Sequence, residues 1–223
     1  MKCRMCNQVV RWQVPLVKLL SFEPISAPTI CDSCRNNFQE YQPPFCRGCG
    51  RTCASGLCDE CQYWQAKYGW LVHNHCMFHY DEAMKEFMHR YKFVGDYRLR
   101  YVFHADMRRW LNQQTFDYLI PIPVTPETMS IRGFNQTIGL IGNCDQGLLV
   151  TKHSQKSVPQ SKKGRIERLK TPQPFTLTPQ VNLHQKRILV VDDVYTTGRT
   201  MYHAVALLKA AGAKAVHTLT LSG

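Results

Sequence analysis

The residue types with the clearest chemistry are two adjacent carboxylates, Asp192 and Asp193, which directly follow the apolar run Ile188–Val191. A continuous apolar run is typical of a strand buried on both faces of a parallel sheet, and such sheets bind ligands at the carboxyl ends of their strands. Carboxylates at that position can accept hydrogen bonds from hydroxyl groups or bind Mg²⁺, whereas they would repel a phosphate. The pair therefore predicts a site for hydroxyl groups or a divalent cation.

A potential phosphate cradle follows the carboxylates. It consists of small or hydroxyl-bearing residues, namely Thr196, Thr197, Gly198 and Thr200. Threonine hydroxyls can donate to an anion, glycine allows backbone N–H groups to approach it closely, and the N-terminus of the next helix favours negative charge. An ordinary strand–helix turn, with a capping threonine and with aspartates for solubility, is the simpler interpretation, but two consecutive aspartates followed by a Thr-Thr-Gly-x-Thr sequence favour the phosphate site. The Gly-x-x-x-x-Gly-Lys spacing of the P-loop is missing, so ATP hydrolysis is not indicated.

Arg132 is a further candidate for this site. It precedes Gly133 and follows an apolar segment, Tyr118–Val124, whose carboxyl end should reach the same cleft. Its guanidinium could hold a pyrophosphate through two hydrogen bonds, or it could be a surface arginine in a turn. Asn135 and Gln136 could likewise orient these groups or cap the helix that follows.

Four Cys-x-x-Cys pairs lie in the amino-terminal part of the chain. Two thiolates of one tight turn can bind the same ion, and two such pairs complete a tetrahedral zinc site. Sequential pairing predicts one site from Cys3, Cys6, Cys31 and Cys34 and a second from Cys46, Cys49, Cys58 and Cys61. Cys53 lies within the second set and could compete for a position. Redox dithiols and iron–sulfur ligation fit less well, because a βαβ context and a ferredoxin spacing are both missing.

Positive charge is the next feature: 28 Lys and Arg against 16 Asp and Glu give a net charge of +12. Such an excess favours polyanionic partners, including nucleic acid and phosphorylated metabolites. Much of it lies between Thr151 and Lys170, where the candidate nucleic-acid contacts are Lys152, Lys156, Lys162, Lys163, Arg165 and Arg168. The same segment could instead be a solvated loop, or it could close over a small phosphate ligand.

A second basic stretch, Lys85–Arg109, interleaves cations with aromatic residues. Single-stranded nucleic-acid sites use this combination, with cations along the backbone and rings against the bases. Phe87, Tyr91 and Phe103 also fit core positions of helices, so we expect most of the aromatic residues in the core and most of the cations on the surface.

The elements that must position these groups alternate after residue 65. We predict helices over Ala83–Lys92, Arg98–Leu111, Thr137–Ile141 and Thr200–Ala211, and strands over Tyr118–Val124, Arg187–Val191 and Val216–Leu221. This alternation indicates βαβ units and a mostly parallel sheet flanked by helices. We therefore expect an α/β domain over residues 66–223, preceded by a cysteine-rich zinc-binding module over residues 1–65 with short strands at most. The absence of a run of about 18 apolar residues and of a secretory h-region favours a cytoplasmic location.

The segment Ile188–Thr200 resembles the phosphoribosyl-pyrophosphate loop of the type I phosphoribosyltransferases. This resemblance implies that Asp192 and Asp193 contact the 2′- and 3′-hydroxyls of a ribose. It also implies that the 5′-phosphate is held by Thr196, Thr197, Gly198 and Thr200. The ligand would then be phosphoribosyl pyrophosphate (PRPP), bound with Mg²⁺, or another ribose phosphate.

Three further segments resemble the ComF family of competence proteins and its GntX-like relatives: Tyr91–Tyr97, Ile120–Val124 and Arg132–Gln136. The resemblance spans essentially the whole chain and implies a double zinc ribbon before a type I phosphoribosyltransferase-like fold. It also implies a DNA-uptake factor that binds single-stranded DNA and a helicase-like partner during transformation. The alternative is an active phosphoribosyltransferase that transfers the phosphoribosyl group from PRPP to a base or another nucleophile, although no nucleobase-binding hood is recognisable in the sequence.

Overall fold

The computed structural model describes residues 1–14, 16–20, 27–152, 172–179 and 181–223. In chain order the strands are β1 (His73–Phe78), β2 (Tyr118–Pro121), β3 (Leu149–Thr151), β4 (Phe175–Leu177), β5 (Arg187–Val194) and β6 (Ala215–Ser222). The helices are α1 (Leu16–Leu20), α2 (Asp32–Asn36), α3 (Asp59–Tyr68), α4 (Glu82–His89), α5 (Tyr101–Leu111), α6 (Pro126–Arg132), α7 (Gln136–Ile141) and α8 (Arg199–Ala210). A π-helical turn, Arg90–Val94, continues α4, and a 3₁₀ turn, Tyr97–Arg100, leads into α5.

The described residues form a parallel sheet with the strand order β1-β6-β5-β2, together with an antiparallel pair made by β3 and β4. The parallel register pairs Leu189 of β5 with Leu119 on one side and His217 on the other. Because β5 has a partner on each side and a packed layer on each face, its residues 188–193 are all buried. The predicted parallel sheet flanked by helices is therefore present, with every predicted helix and strand in place.

Alternating residues of β5 separate two packed layers. Leu189 and Val191 face a layer built largely from α4, α5 and α7, whereas Ile188 and Val190 face a layer that contains α8. The successive side chains of a strand point to opposite faces, so the sheet is covered on both sides. The amino-terminal cysteines divide in the same way: Cys3 packs into the first layer and Cys61 into the second.

The expectation of short strands at most in the cysteine-rich part was wrong, because α3 is a regular helix of 10 residues. Asp59 and Glu60 in its first turn favour the positive end of the helix dipole, and Gly69 ends it in the left-handed conformation with φ 74°. The predicted domain boundary after residue 65 falls inside this helix and stays a prediction. None of the helices in the described ranges is long and apolar enough to cross a membrane.

Candidate ligand site and metal centres

The carboxyl end of β5 places Asp192 and Asp193 side by side, and both are buried. The backbone N–H of Asp193 donates to Asp192 Oδ1 at 2.9 Å, and the Thr137 hydroxyl donates to the same oxygen at 3.5 Å. Gln136 Nε2 donates to Asp193 Oδ1 at 3.4 Å. The N-terminus of α7 thus supplies donors to both carboxylates that the sequence marked as a site.

Lys92 is a site residue that the sequence analysis did not single out. It lies in the π-helical turn after α4, and its ammonium forms an ion pair with Asp193 Oδ2, with both side chains largely buried. Lys92 belongs to the basic stretch Lys85–Arg109, most of whose cations were expected on the surface. The signal that could have identified it is its place in the segment Tyr91–Tyr97, one of the segments that carry the family resemblance.

The two carboxylates differ in their acidity. Burial raises the pKa of Asp192 well above its usual range, and the charge of Asp193 raises it further. Burial acts to raise the pKa of Asp193 as well. The charge of Lys92, together with the hydrogen bonds from Asp192, Lys92 and Gln136, has the larger effect, and the pKa of Asp193 is lowered. Asp193 is therefore held ionised as a strong acceptor, while Asp192 is the carboxyl that gains a proton more easily.

The phosphate loop, defined here as residues 196–200, runs directly from β5 into the N-terminus of α8. Gly198 has φ 76°, and a Cβ at this position would lie 2.2 Å from the Tyr195 hydroxyl oxygen. Glycine is therefore required by both the backbone conformation and the lack of space. Thr196 is exposed, Thr197 is buried and Thr200 is partly buried. The loop thus brings hydroxyl groups and a helix N-terminus into chain continuity with the carboxylate pair.

Arg132 does not lie in a simple turn after a strand, as expected, but in the last turn of α6, which the sequence analysis did not predict. Thr125 caps this helix and Pro126 begins it, a start signal that was overlooked. The guanidinium donates from Nε to the Lys92 carbonyl at 3.1 Å and from Nη1 to Gln136 Oε1. Burial lowers the pKa of Arg132, and the charge of Asp193 opposes this.

Asn135 and Gln136 divide the two roles that the sequence left open. Asn135 Oδ1 accepts from the backbone N–H groups of Thr137 and Ile138 at 2.8 and 3.2 Å, so Asn135 caps α7. Gln136 instead bridges Arg132 and Asp193. Arg132 is thus half-buried and belongs to the hydrogen-bond network around Asp193, and its contact with a pyrophosphate stays a prediction.

The eight Cys-x-x-Cys cysteines form two separate groups. Within each group the four sulfur atoms all lie within 4.8 Å of one another, and the members are Cys3, Cys6, Cys31 and Cys34 in the first group and Cys46, Cys49, Cys58 and Cys61 in the second. Sulfur–sulfur separations of 3.7 Å recur in both groups. Tetrahedral zinc with Zn–S bonds of about 2.3 Å requires about 3.8 Å between sulfurs, so both groups could hold zinc. Cys53 lies outside them, with its sulfur 3.2 Å from Ser55 Oγ.

Comparison with known proteins places this arrangement in a family. The family described as phosphoribosyl transferase domain matches residues 105–222. Competence protein ComFC of Streptococcus pneumoniae is 35% identical over 221 residues, which cover 99% of both chains. The chain belongs to the ComF family. Other relatives are Competence protein ComFC of Bacillus subtilis, 29% identical over 98% of this chain and 93% of its own, and Competence protein F of Haemophilus influenzae, 25% identical over 86% and 90%.

Membership of the ComF family confirms the predicted fold, a phosphoribosyltransferase domain with a parallel sheet flanked by helices after a cysteine-rich module. A solved structure titled as the allosteric regulatory enzyme of purine biosynthesis covers 57% of this chain and 26% of its own, with 19% identity and a TM-score of 0.34. The fold assignment depends on the family match and not on this likeness.

The basic candidates of this ComF-family chain are only partly described. Lys152 is exposed and follows β3, whereas five of the six lie outside the described residues, namely Lys156, Lys162, Lys163, Arg165 and Arg168. In the other basic stretch Phe87, Tyr91 and Phe103 are buried, as expected. Tyr97 and Tyr101 are exposed instead, and the Arg100 guanidinium lies 4.1 and 4.4 Å from their ring centroids.

Proposed function

We propose that this ComF-family protein is a competence factor that binds PRPP or a related ribose phosphate, together with Mg²⁺, at the carboxyl end of β5. The observation that carries the proposal is the buried pair Asp192 and Asp193, followed by Gly198 in the left-handed conformation and by the N-terminus of α8. Acceptors for hydroxyl groups and donors for a phosphate thereby lie on one continuous segment. The competence role is supported by the two relatives named Competence protein ComFC.

Each part of the segment has a separate task in this proposal. Asp193, kept ionised by Lys92, accepts from one ribose hydroxyl, and Asp192 binds the other. The 5′-phosphate receives hydrogen bonds from Thr196, Thr197, Gly198 and Thr200. Arg132, two contacts away from Asp193 through Gln136, supplies positive charge towards the pyrophosphate. A bound Mg²⁺ would neutralise further negative charge of the pyrophosphate.

Calorimetry with PRPP and MgCl₂ tests this site. The double variant Asp192→Ala with Asp193→Ala should lose detectable Mg²⁺-dependent binding, because it removes both acceptors for the ribose hydroxyls. Asp117→Ala is the control, since Asp117 directly precedes β2 and accepts from the N–H of Arg187, the first residue of β5, at the opposite end of that strand from the carboxylate pair. Equal affinity of the wild type and the double variant would rule out the carboxylate pair as the ribose site.

The second part of the proposal concerns DNA. We propose that the protein binds single-stranded DNA during uptake, through the basic segment that contains Lys152 and the five further cations named above, and cooperates with a helicase-like competence protein. The net charge of +12 supports a polyanionic partner. The exposed position of Lys152 is consistent with such a contact. Co-purification of the tagged protein with the helicase-like partner from competent cells tests the partnership.

An active phosphoribosyltransferase is the second candidate function. The family match over residues 105–222 and the carboxylate pair favour it. Release of pyrophosphate from PRPP, measured with Mg²⁺ across a panel of nucleobases, distinguishes the candidates. Release that depends on one base and is lost in the Asp192→Ala, Asp193→Ala variant would establish the enzyme, whereas PRPP binding without release supports a ligand-binding role.

A further inference from the structure

Trp64 connects the second cysteine group with the phosphate loop. It lies on α3 one turn after Cys61, is buried, and donates from its indole Nε1 to the Thr197 carbonyl oxygen at 2.6 Å. In a trans peptide the C=O and the following N–H point in opposite directions. By holding the Thr197 carbonyl, Trp64 turns the Gly198 N–H away from the cysteine module, where an anion can accept from it.

The indole itself is fixed by packing. Its ring stacks on Tyr202 of α8, with centroids 4.7 Å apart and planes at 23°. The guanidinium of Arg199, the first residue of α8, lies 5.6 Å from the same ring. Trp70 stacks on Tyr202 as well, at 5.3 Å, without taking part in the hydrogen bond to the loop. Movement of Trp64 would therefore disturb both the loop and the first turns of α8.

A second connection runs through Arg51. Its Nε donates to Cys49 Sγ at 3.3 Å, and its guanidinium pairs with Glu60 at the start of α3. The same guanidinium lies 5.8 Å from the ring centroid of Tyr195. The Tyr195 hydroxyl occupies the space next to Gly198 that a Cβ would need. Two cysteines of the second group are thus connected to the loop: Cys61 through Trp64 on the same helix, and Cys49 through Arg51 and Tyr195.

The first cysteine group has different neighbours. Cys3 packs with Val10, Ile30 and Phe38 in the layer on the other face of the sheet. Arg90 ties this part of the module to the π-helical turn through the carbonyls of Arg4 and Met5. Each group consists of four cysteine sulfurs, but only the second group is connected to the phosphate loop by the contacts described above. A variant of the first group is therefore a control for a variant of the second.

We propose that the second cysteine group, when it holds its metal, is the support that fixes the phosphate loop in its ligand-binding conformation, with Trp64 as the positioning residue. This inference rests on the proposed ribose-phosphate site. If the second cysteine group helps to form that site, loss of its metal lowers the affinity of the protein for ribose phosphates. The cysteines concerned are Cys46, Cys49, Cys58 and Cys61. Loss of metal from the first group leaves that affinity unchanged.

Trp64→Phe is the sharpest variant, because it keeps an aromatic ring in the stack and removes the N–H donor, and the ring volume that it also removes is equally removed in Trp70→Phe. We expect calorimetry with PRPP and MgCl₂ to show about tenfold weaker binding, the effect of removing one hydrogen bond. Zinc content by elemental analysis should stay at the wild-type value. Trp70→Phe makes the same chemical change within the same stack and should bind like the wild type.

Two cysteine variants test the metal itself. Cys58→Ser and Cys6→Ser each remove a ligand that is not fully buried, from the second and the first group respectively. Each should lower the zinc content by one ion per chain, and only Cys58→Ser should weaken PRPP binding, by tenfold or more. If Cys58→Ser does not fold, the Trp64→Phe comparison still decides the inference.

Hydrogen exchange separates failure of this inference from failure of the proposed function. The amides of Gly198 and Arg199 should exchange faster in Trp64→Phe than in the wild type and Trp70→Phe, with or without ligand. Absence of PRPP binding by the wild type, with this faster exchange, would reject the ligand and keep the support role. Wild-type affinity and unchanged exchange in Trp64→Phe would overturn the inference while leaving the ribose-phosphate site intact.

Discussion

Lys92→Met provides a quantitative test of the network around the carboxylates. The substitution keeps most of the side-chain volume and removes the ammonium that pairs with Asp193 Oδ2. Both side chains are largely shielded from water, at 17% and 6% exposure. Removal of one partner of a buried ion pair leaves an uncompensated charge and costs about 3–5 kcal/mol. We expect the lower end, about 3 kcal/mol, because Gln136 still donates to Asp193.

The assay is urea unfolding followed by tryptophan fluorescence in zinc-containing buffer, applied to a double-mutant cycle. Adding Asp193→Asn to Lys92→Met removes the orphaned charge, so the double variant should be less destabilised than the sum of the two single changes, by about 2 kcal/mol. Lys85→Met is the matched control. It breaks an i,i+3 pair with Glu82 whose side chains are 51% and 88% exposed, and its effect on stability should be far smaller than that of Lys92→Met, because solvent screens an exposed pair.

If Lys92→Met is as mild as Lys85→Met, or if the cycle shows no coupling, Lys92 does not neutralise Asp193 in solution. The lowered pKa of Asp193, and with it the assignment of Asp193 as an ionised acceptor, would then have to be abandoned.

Three further predictions concern the metals, pH dependence and DNA. Elemental analysis should find two zinc ions per chain, unchanged in Cys53→Ser because Cys53 lies outside both groups; iron in place of zinc would contradict the assignment. Since burial raises the pKa of Asp192, the folded protein binds more protons than the unfolded one between the two pKa values, and stability falls as pH rises there. Asp192→Asn should flatten that fall in urea unfolding followed as the pH is raised above the usual range of an aspartate, and an unchanged slope would contradict it. Neutralising the six basic candidates should make single-stranded DNA binding less dependent on salt. The slope of log K against log salt concentration should become smaller by roughly 0.7 for each DNA phosphate that the variant no longer contacts. An unchanged slope would place the DNA surface elsewhere, with Lys85–Arg109 as the next candidate. The residues to change are Lys152, Lys156, Lys162, Lys163, Arg165 and Arg168.

The sheet and the carboxylate pair could be predicted because their signals are local. The run Ile188–Val191 has the apolar continuity of a strand buried on both faces, and Asp192 and Asp193 follow it without interruption. The spacing of the cysteine pairs is equally local, and it grouped the eight cysteines as the structure has them. In each case adjacent residues carry the information, so a single sequence is sufficient.

Contacts between distant segments could not be predicted in the same way. Lys92 pairs with Asp193 across 101 positions of the chain, and nothing in the residues around either one specifies the other. Trp64 and Thr197 are separated by 133 positions. The sequence left Arg132 open between the cleft and a surface turn, and its helix α6 was missed because the seven residues of this helix, which begins at Pro126, show little apolar periodicity. The contact between the cysteine-rich module and the phosphate loop could therefore be found only from the three-dimensional structure.

Recognition of a ribose by its hydroxyl groups is the central claim, and calorimetric comparison of ribose 5-phosphate with 2-deoxyribose 5-phosphate tests it most directly. Both ligands carry the phosphate for residues 196–200, but only the first offers both hydroxyls to Asp192 and Asp193. Loss of the 2-hydroxyl leaves one member of the buried carboxyl pair without its partner, which costs about 1–3 kcal/mol and corresponds to roughly 5- to 150-fold weaker binding of the deoxy sugar. Equal affinity for the two sugars would contradict the assignment of the carboxylate pair as a ribose site.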